Sequence, residues 1–205
     1  MRGMFITAEG TDGAGKSTQL ELIKEYLKGK KAIFLREPGG TAISEKIREL
    51  ILDTQNTEMS AQTEALLYAA SRTQLVNEVI LPALEAGTNV VCDRYIDSSV
   101  AYQGYARGLG ADTVEGINRF ALENCVPDLT LFFDLPPEKG ILRKNSQHKL
   151  DRIEQESMDF HRKVYEGYIK LCEKYPQRIR RIDASLDVGA VFALVKKELD
   201  SLRWD

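Results

Sequence analysis

Gly10-Thr11-Asp12-Gly13-Ala14-Gly15-Lys16-Ser17 spells G-x-x-x-x-G-K-S, and the residues on either side decide how it reads. Before it runs Met4-Phe5-Ile6-Thr7-Ala8, an apolar stretch of strand character. After it comes Thr18-Gln19-Leu20-Glu21-Leu22-Ile23-Lys24-Glu25-Tyr26-Leu27, whose apolar positions recur at helical spacing. Strand, glycine loop and helix in that order form the setting of a phosphate-binding P-loop. The glycines allow positive φ and bring backbone N–H groups close around a phosphate. The helix N-terminus adds its dipole and Lys16 a positive charge, while Ser17 is placed to put its hydroxyl on a phosphate-bound Mg²⁺. Residues Gly10 to Thr18 are therefore expected to hold a nucleoside triphosphate. The alternative, a glycine turn that merely starts a helix, is disfavoured by the strand and helix around it.

The rest of the composition sets bounds. A chain of 205 residues fits one ordinary domain, with or without a small lid, and can bury a substantial core. A net charge of −3 argues against a general nucleic-acid binder, which shows a basic face. The basic run Arg178-Ile179-Arg180-Arg181 reads as solvated charges at a strand edge. No apolar stretch approaches the ~20 residues of a membrane span, and the chain runs straight into its first strand without a leader-like segment. Cys92, Cys125 and Cys172 are scattered and read as buried or half-buried thiols of a reduced cytosol. His148 and His161 are the sole histidines, which disfavours a histidine-rich zinc site.

Short β-branched runs alternate with longer helical patterns along the chain. Strands are expected at residues 4–8, 31–35, 89–92, 128–135 and 180–184. Helices are expected behind the glycine loop and at 42–52, 61–86, 113–124, 138–145, 151–175 and 188–202. Strands separated by helices imply βαβ units, hence an α/β fold with a five-stranded parallel sheet covered on both faces. Right-handed crossovers then gather the strand C-terminal ends along one edge. Residues 145–149 form a polar stretch between two helical patterns and suit a loop tip or a lid.

Several candidate ligand groups fall at those strand ends. Arg36 closes the second strand beside Pro38-Gly39-Gly40 and can fork onto a phosphate. Asp93 closes the third strand, where a P-loop enzyme places a carboxylate that holds Mg²⁺ through water. Arg94 follows it, and a structural Asp-Arg salt bridge is the competing account of that pair. Tyr68 and Arg72 lie four residues apart on a helix face, where a ring and a guanidinium can hold a base. The other reading of that pair is a core tyrosine with a surface arginine. No Asn-Lys-x-Asp guanine-reading motif occurs, which weighs against a regulatory GTPase.

Taken in order, these residues resemble the thymidylate kinase family, of bacterial type. The matching stretches are Glu9–Gln19, Arg36–Thr41, Tyr68–Arg72, Asp93–Tyr95 with Ser98–Gly104, and Leu150–Glu156. The resemblance implies a three-layer P-loop NTPase fold over residues 1–205, with a lid at about 140–153. It implies phosphorylation of dTMP to dTDP by MgATP for dTTP synthesis, in a cytoplasmic homodimer. It places Asp12 near the acceptor's 3′-hydroxyl, Arg36 on the dTMP phosphate, Tyr68 against thymine and Arg72 on a base carbonyl. It also places Arg94 between the two phosphates, Asp93 and Ser17 about the Mg²⁺, Tyr102 near C2′, and Ser98 and Gln103 near the base. Some members carry an arginine where this chain has Gly13; others supply that cation from the lid, and Gly13 puts this chain with them. Arg152 is the favoured lid cation, in Asp151-Arg152-Ile153-Glu154, with Arg143, Lys144 and Lys149 as the others available.

Two other functions compete. A deoxynucleoside kinase has a neutral hydroxyl as acceptor, so it needs a carboxylate base and no arginine for an acceptor phosphate. A P-loop switch or partition ATPase would hydrolyse ATP to water under a partner's control, and would not need Tyr68, Arg72 or a lid.

Overall fold

The computed structural model describes residues 1–143 and 150–202. Lys144 and Lys149 of the expected lid lie outside them. Five strands pair in one parallel sheet: β1 (Phe5–Glu9), β2 (Ala32–Arg36), β3 (Asn89–Asp93), β4 (Leu129–Asp134) and β5 (Ile179–Asp183), in the order β2-β3-β1-β4-β5. β1 is central and wholly buried, and β4 is buried along Leu129–Phe133. This is why they read as near-continuous apolar runs rather than alternating ones.

Alternation still sorts the two faces, because successive strand side chains point oppositely. Phe5, Val90 and Phe132 join one core, with Leu75, Ile80, Tyr95, Val164 and Tyr168. Ile6, Val91, Leu131 and Phe133 join the other, with Ile23, Leu27, Val195 and Leu199. The second core is closed by α1 (Lys16–Tyr26) and α10 (Val188–Asp200). The first is closed by α2 (Ala42–Leu52), α3 (Ala61–Leu75), α4 (Leu81–Glu85), α5 (Ile96–Ser99), α6 (Ala111–Ile117), α7 (Arg119–Leu122) and α9 (Met158–Lys174), while α8 (Pro137–Arg143) follows β4 with Ile141 and Leu142 exposed. All three cysteines are buried and free.

Several element boundaries differ from the sequence expectation. The long helix expected over 61–86 is continuous in path but contains a π-helical turn, Val76–Ile80, between α3 and α4. Pro82 follows that turn; it has no N–H and its ring crowds the carbonyl four residues back, which a wide turn accommodates. The helix expected over 113–124 divides at Asn118, whose side-chain amide donates to Val114 O at 2.8 Å. The helix expected from residue 151 begins at Met158, capped by Ser157, whose Oγ accepts from Phe160 N. Ahead of it, Asp151 and Glu154 exchange side-chain to backbone hydrogen bonds in a turn.

Two features were missed or misread. Residues Ile96–Ala106 form α5 and a second π-helical turn, Val100–Ala106, although Ser98, Ser99 and Gly104 weaken the helical pattern there. Arg178 is not a solvated strand-edge charge: it makes a bidentate pair with buried Asp97, at 2.6 and 2.8 Å, and donates to Thr130 Oγ1.

Candidate active site

β1 ends at Glu9 and the chain turns at once into the P-loop, so the loop stands at the C-terminal edge of the central strand. On one side of β1 the strands are β3 and β2, on the other β4 and β5, and this change of direction opens a crevice above β1. Register brings the neighbouring strand ends level: Ala8 lies beside Asp93, and Asp93 beside Arg36.

Gly13 and Gly15 have φ of 77° and 86°, conformations that favour glycine. Gly13 meets a second demand. A Cβ there would lie 2.0 Å from Gly140 O of α8, and a Cβ on Gly140 would lie 2.2 Å from Asp12 O. Backbone therefore packs directly on backbone, and no side chain, arginine included, fits at residue 13. Lys16 Nζ donates to Gly10 O and Thr11 O, at 3.1 and 3.3 Å. Burial first, then the nearby Arg94 charge, push the Lys16 amine down to about 8. A phosphate in the loop opposes both effects.

Arg94 is the guanidinium that reaches the loop. It donates to Gly10 O at 3.0 Å and to Asp12 Oδ1 at 2.7 Å. So the salt bridge from Arg94 runs to Asp12 on the P-loop, and Asp93 Oδ1 is left buried without a partner among the described residues. Arg94 has φ 65°, unusual for a residue with a side chain. Glu9 holds this turn: it accepts from Tyr95 N at 2.7 Å, Ser98 Oγ at 2.5 Å and Tyr168 Oη at 3.0 Å. Burial, then the charge of Asp97, push the Glu9 carboxyl up to about 7.

Next to Asp12 and Arg94 lies a cavity of about 160 Å³. Tyr68, Arg72, Ser98, Tyr102 and Gln103 line it, together with Asp12 and Arg94. Arg72 is fully buried, not a surface residue: it donates to Glu37, Asn118 Oδ1 and Tyr95 O. Burial raises the Glu37 carboxyl to about 7 even against the Arg72 charge. Tyr102 stacks near Arg94, whose Cζ sits 5.3 Å from the ring centroid.

Other expected residues lie apart from this cavity. Arg36 pairs with Glu45 at 3.0 Å and donates to Pro38 O, on a second cleft that includes Ser17, Lys24 and Asp93. Arg152 donates to Ile51 O and to Glu64, both at 2.8 Å, and Arg143 donates to Ala184 O. Sequence reasoning missed Arg48, which lines the cavity and donates to Pro38 O at 2.9 Å. The signal was available: Ser44, Arg48 and Leu52 are spaced four apart on α2, so they share one face, and Ser44 is buried.

The donor set suits a magnesium ion carried by phosphates. Ser17 and Asp93 both line the second cleft, Asp93 Oδ1 has no partner among the described residues, and magnesium keeps several waters and needs only one or two protein oxygens. No group of three His, Cys, Asp or Glu that could hold a metal by themselves occurs among the described residues.

The P-loop and the arginine-lined second cavity meet at Arg94, an arrangement that fits a nucleoside monophosphate kinase, whose task is to bring two anionic nucleotides together. The family model for thymidylate kinase matches residues 8–195, and the chain belongs to that family. It is 51% identical over 199 residues to the thymidylate kinase of Clostridium novyi, covering 95% of this chain and 97% of that one. It is 50% identical over 206 residues to the thymidylate kinase of Lactobacillus delbrueckii, covering 98% and 97%. Among solved structures, thymidylate kinase from Ehrlichia chaffeensis aligns with TM-score 0.79 and 31% identity, covering 98% of this chain and 99% of that one.

Proposed function

We propose that this protein transfers the γ-phosphoryl group of ATP to dTMP, giving dTDP for dTTP synthesis. The observation that carries the reading is the position of Arg94: it bonds the P-loop at Gly10 and Asp12 while lining the cavity with Arg48, Tyr68, Arg72 and Gln103. Family membership supports the same substrate pair.

The residues account for the chemistry. The acceptor phosphate has a second pKa near ~6, so at neutral pH it is already a dianionic nucleophile and needs no general base. The barrier is repulsion between anions. Lys16 holds the donor phosphates, Arg94 lies between donor and acceptor, and Arg48 supplies charge on the acceptor side, where Arg36 would join it at the dTMP phosphate only after leaving Glu45. Residues Gly10 to Thr18 wrap the donor, and Ser17 and Asp93 would hold Mg²⁺, Asp93 through water. When bound, Mg²⁺ would neutralise charge on the donor phosphates. Tyr68 gives the base a stacking face, Arg72 a donor for a ring carbonyl, and Ser98 and Gln103 polar edges. Tyr102 crowds C2′, and Asp12 approaches the 3′-hydroxyl. Arg152 and Arg143 would add lid charge to the transferring group only after leaving Glu64 and Ala184, so Arg94 carries the central role.

The chain acts as a single P-loop kinase domain with a lid at about 140–153, in a cytoplasmic homodimer. No helix among the described residues is long and apolar enough to cross a membrane. The test is an ADP-release assay with dTMP, dUMP, dCMP, dGMP and thymidine as acceptors. dTMP is expected to be the best of them; preference for thymidine, or hydrolysis indifferent to acceptor, refutes the reading.

A further inference from the structure

Glu64 lies on α3 one helical turn before Tyr68 and two before Arg72, on the same face as the base-site residues, yet it does not line the cavity. Its side chain is 1% exposed and serves four donors. Arg107 Nε and Nη2 reach its two oxygens at 3.2 and 3.1 Å, Arg152 Nη2 donates at 2.8 Å, and Gln103 Nε2 donates to Oε1 at 2.9 Å. The arginines are themselves anchored. Arg107 stands over the Phe160 ring at 4.5 Å and pairs with Glu156, while Arg152 is fixed to Ile51 O.

Burial works to raise the Glu64 carboxyl, but the hydrogen bonds from Arg107 and Gln103, with Arg152 behind them, hold it below its ordinary value. It is therefore an ionised carboxylate, and a carboxylate can only accept hydrogen bonds. That settles which end of the Gln103 amide faces it. The NH₂ must turn to Glu64, and Oε1 must turn away. Gln103 is itself 1% exposed and lines the cavity, and its Oε1 is buried without a partner among the described residues. A buried acceptor in that condition is stabilised by any ligand that brings it a donor.

We infer that Glu64 is a positioning residue for base selection: by fixing the Gln103 amide it makes Oε1 the atom offered to the base, so the cavity takes a pyrimidine bearing N3–H and rejects one with a bare N3. Thymine and uracil carry that hydrogen; cytosine presents a lone pair there. This rests on dTMP being the acceptor, and it adds the reason the site is committed to a keto pyrimidine before any ligand arrives. A site built to hydrogen-bond a donor discriminates strongly against an analogue without one, because its own polar atom stays unpaired.

The test compares dTMP with dCMP, by kcat/KM and by calorimetric affinity, in the full chain and in Glu64→Gln. A glutamine at 64 can donate as well as accept, so the Gln103 amide is free to reverse. The dTMP-to-dCMP preference is expected to fall by about tenfold or more, mainly through a higher KM for dTMP, with KM for ATP nearly unchanged. Asp128→Asn, which loses the pair with Arg2 beside the start of β1, serves as a control altered at the far end of the sheet, and its preference should stay at the unsubstituted value. An unchanged preference in Glu64→Gln overturns the inference, as does an equal fall in Asp128→Asn. Should Glu64→Gln not fold, Glu64→Asp keeps the charge for both arginines but withdraws from Gln103, and the same ratio decides. Failure of the unsubstituted protein to use dTMP would instead refute the reading on which this rests.

Discussion

Lys16 is held where its charge is least comfortable. Buried, close to Arg94 and bonded to two carbonyls of its own loop, it titrates near 8 rather than at its ordinary 10.5. As pH rises through about 8, the free enzyme loses the charge that ATP needs. kcat/KM for ATP should therefore fall on the alkaline side with an apparent pKa near 8, while kcat, which reports the bound complex, holds to higher pH. The unfolded chain keeps this proton to about 10.5, so the same group makes stability rise with pH between about 8 and 10.5. Lys16→Ala should abolish turnover without loss of the folded state, checked by initial rates beside circular dichroism. Residue identity was legible here because G-x-x-x-x-G-K-S is contiguous. Arg48 was not, because its relevance depends on α2 packing across the cavity from Arg94, although the four-residue spacing from Ser44 marks its face.

Between elements, the contact that matters most is α8 on the P-loop. Gly13 and Gly140 meet backbone to backbone, so the helix leading toward the expected lid is seated directly on the loop that holds phosphate. A methyl group at residue 140 has nowhere to go but into Asp12 O. Gly140→Ala should lift α8 from the loop and lower kcat by about tenfold or more, since small misplacements at a reacting centre are costly. dTMP affinity should change little, and calorimetry with dTMP alongside turnover separates the two. The two π-helical turns were not legible, and for different reasons. Pro82 marks a disturbance in the long helix without saying how it is absorbed. At Val100–Ala106 the small and polar residues conceal a helical segment whose reward is placing Tyr102 and Gln103 side by side at the cavity.

Across the whole molecule, a polar chain runs through the sheet where apolar packing would be the default. Thr7 and Thr130 share a hydrogen bond between β1 and β4, Thr130 and Arg178 meet at 2.7 Å, and Arg178 forks onto Asp97 of α5. This ties the approach to β5 to the helix that carries Ser98. Asp97→Asn leaves Arg178 largely buried without its counter-charge and should cost about 3 kcal/mol in chemical denaturation. A change within experimental error would mean that Arg178 finds solvent instead.

The layering of the fold and the phosphate loop followed from the chain alone, because strand and helix periods and the P-loop spacing are local, repeated within a few residues of sequence. Local order also placed Arg36, Asp93 and Arg94 at strand ends. Which of them meet was a tertiary matter. Arg94 pairs with Asp12 rather than Asp93, Arg36 with Glu45, Arg152 with Glu64, and Arg178 with Asp97, all fixed by the register of the sheet and the seating of helices far apart in sequence. Charges attract whichever opposite charge the packing brings within reach, and spacing along a chain does not encode that reach.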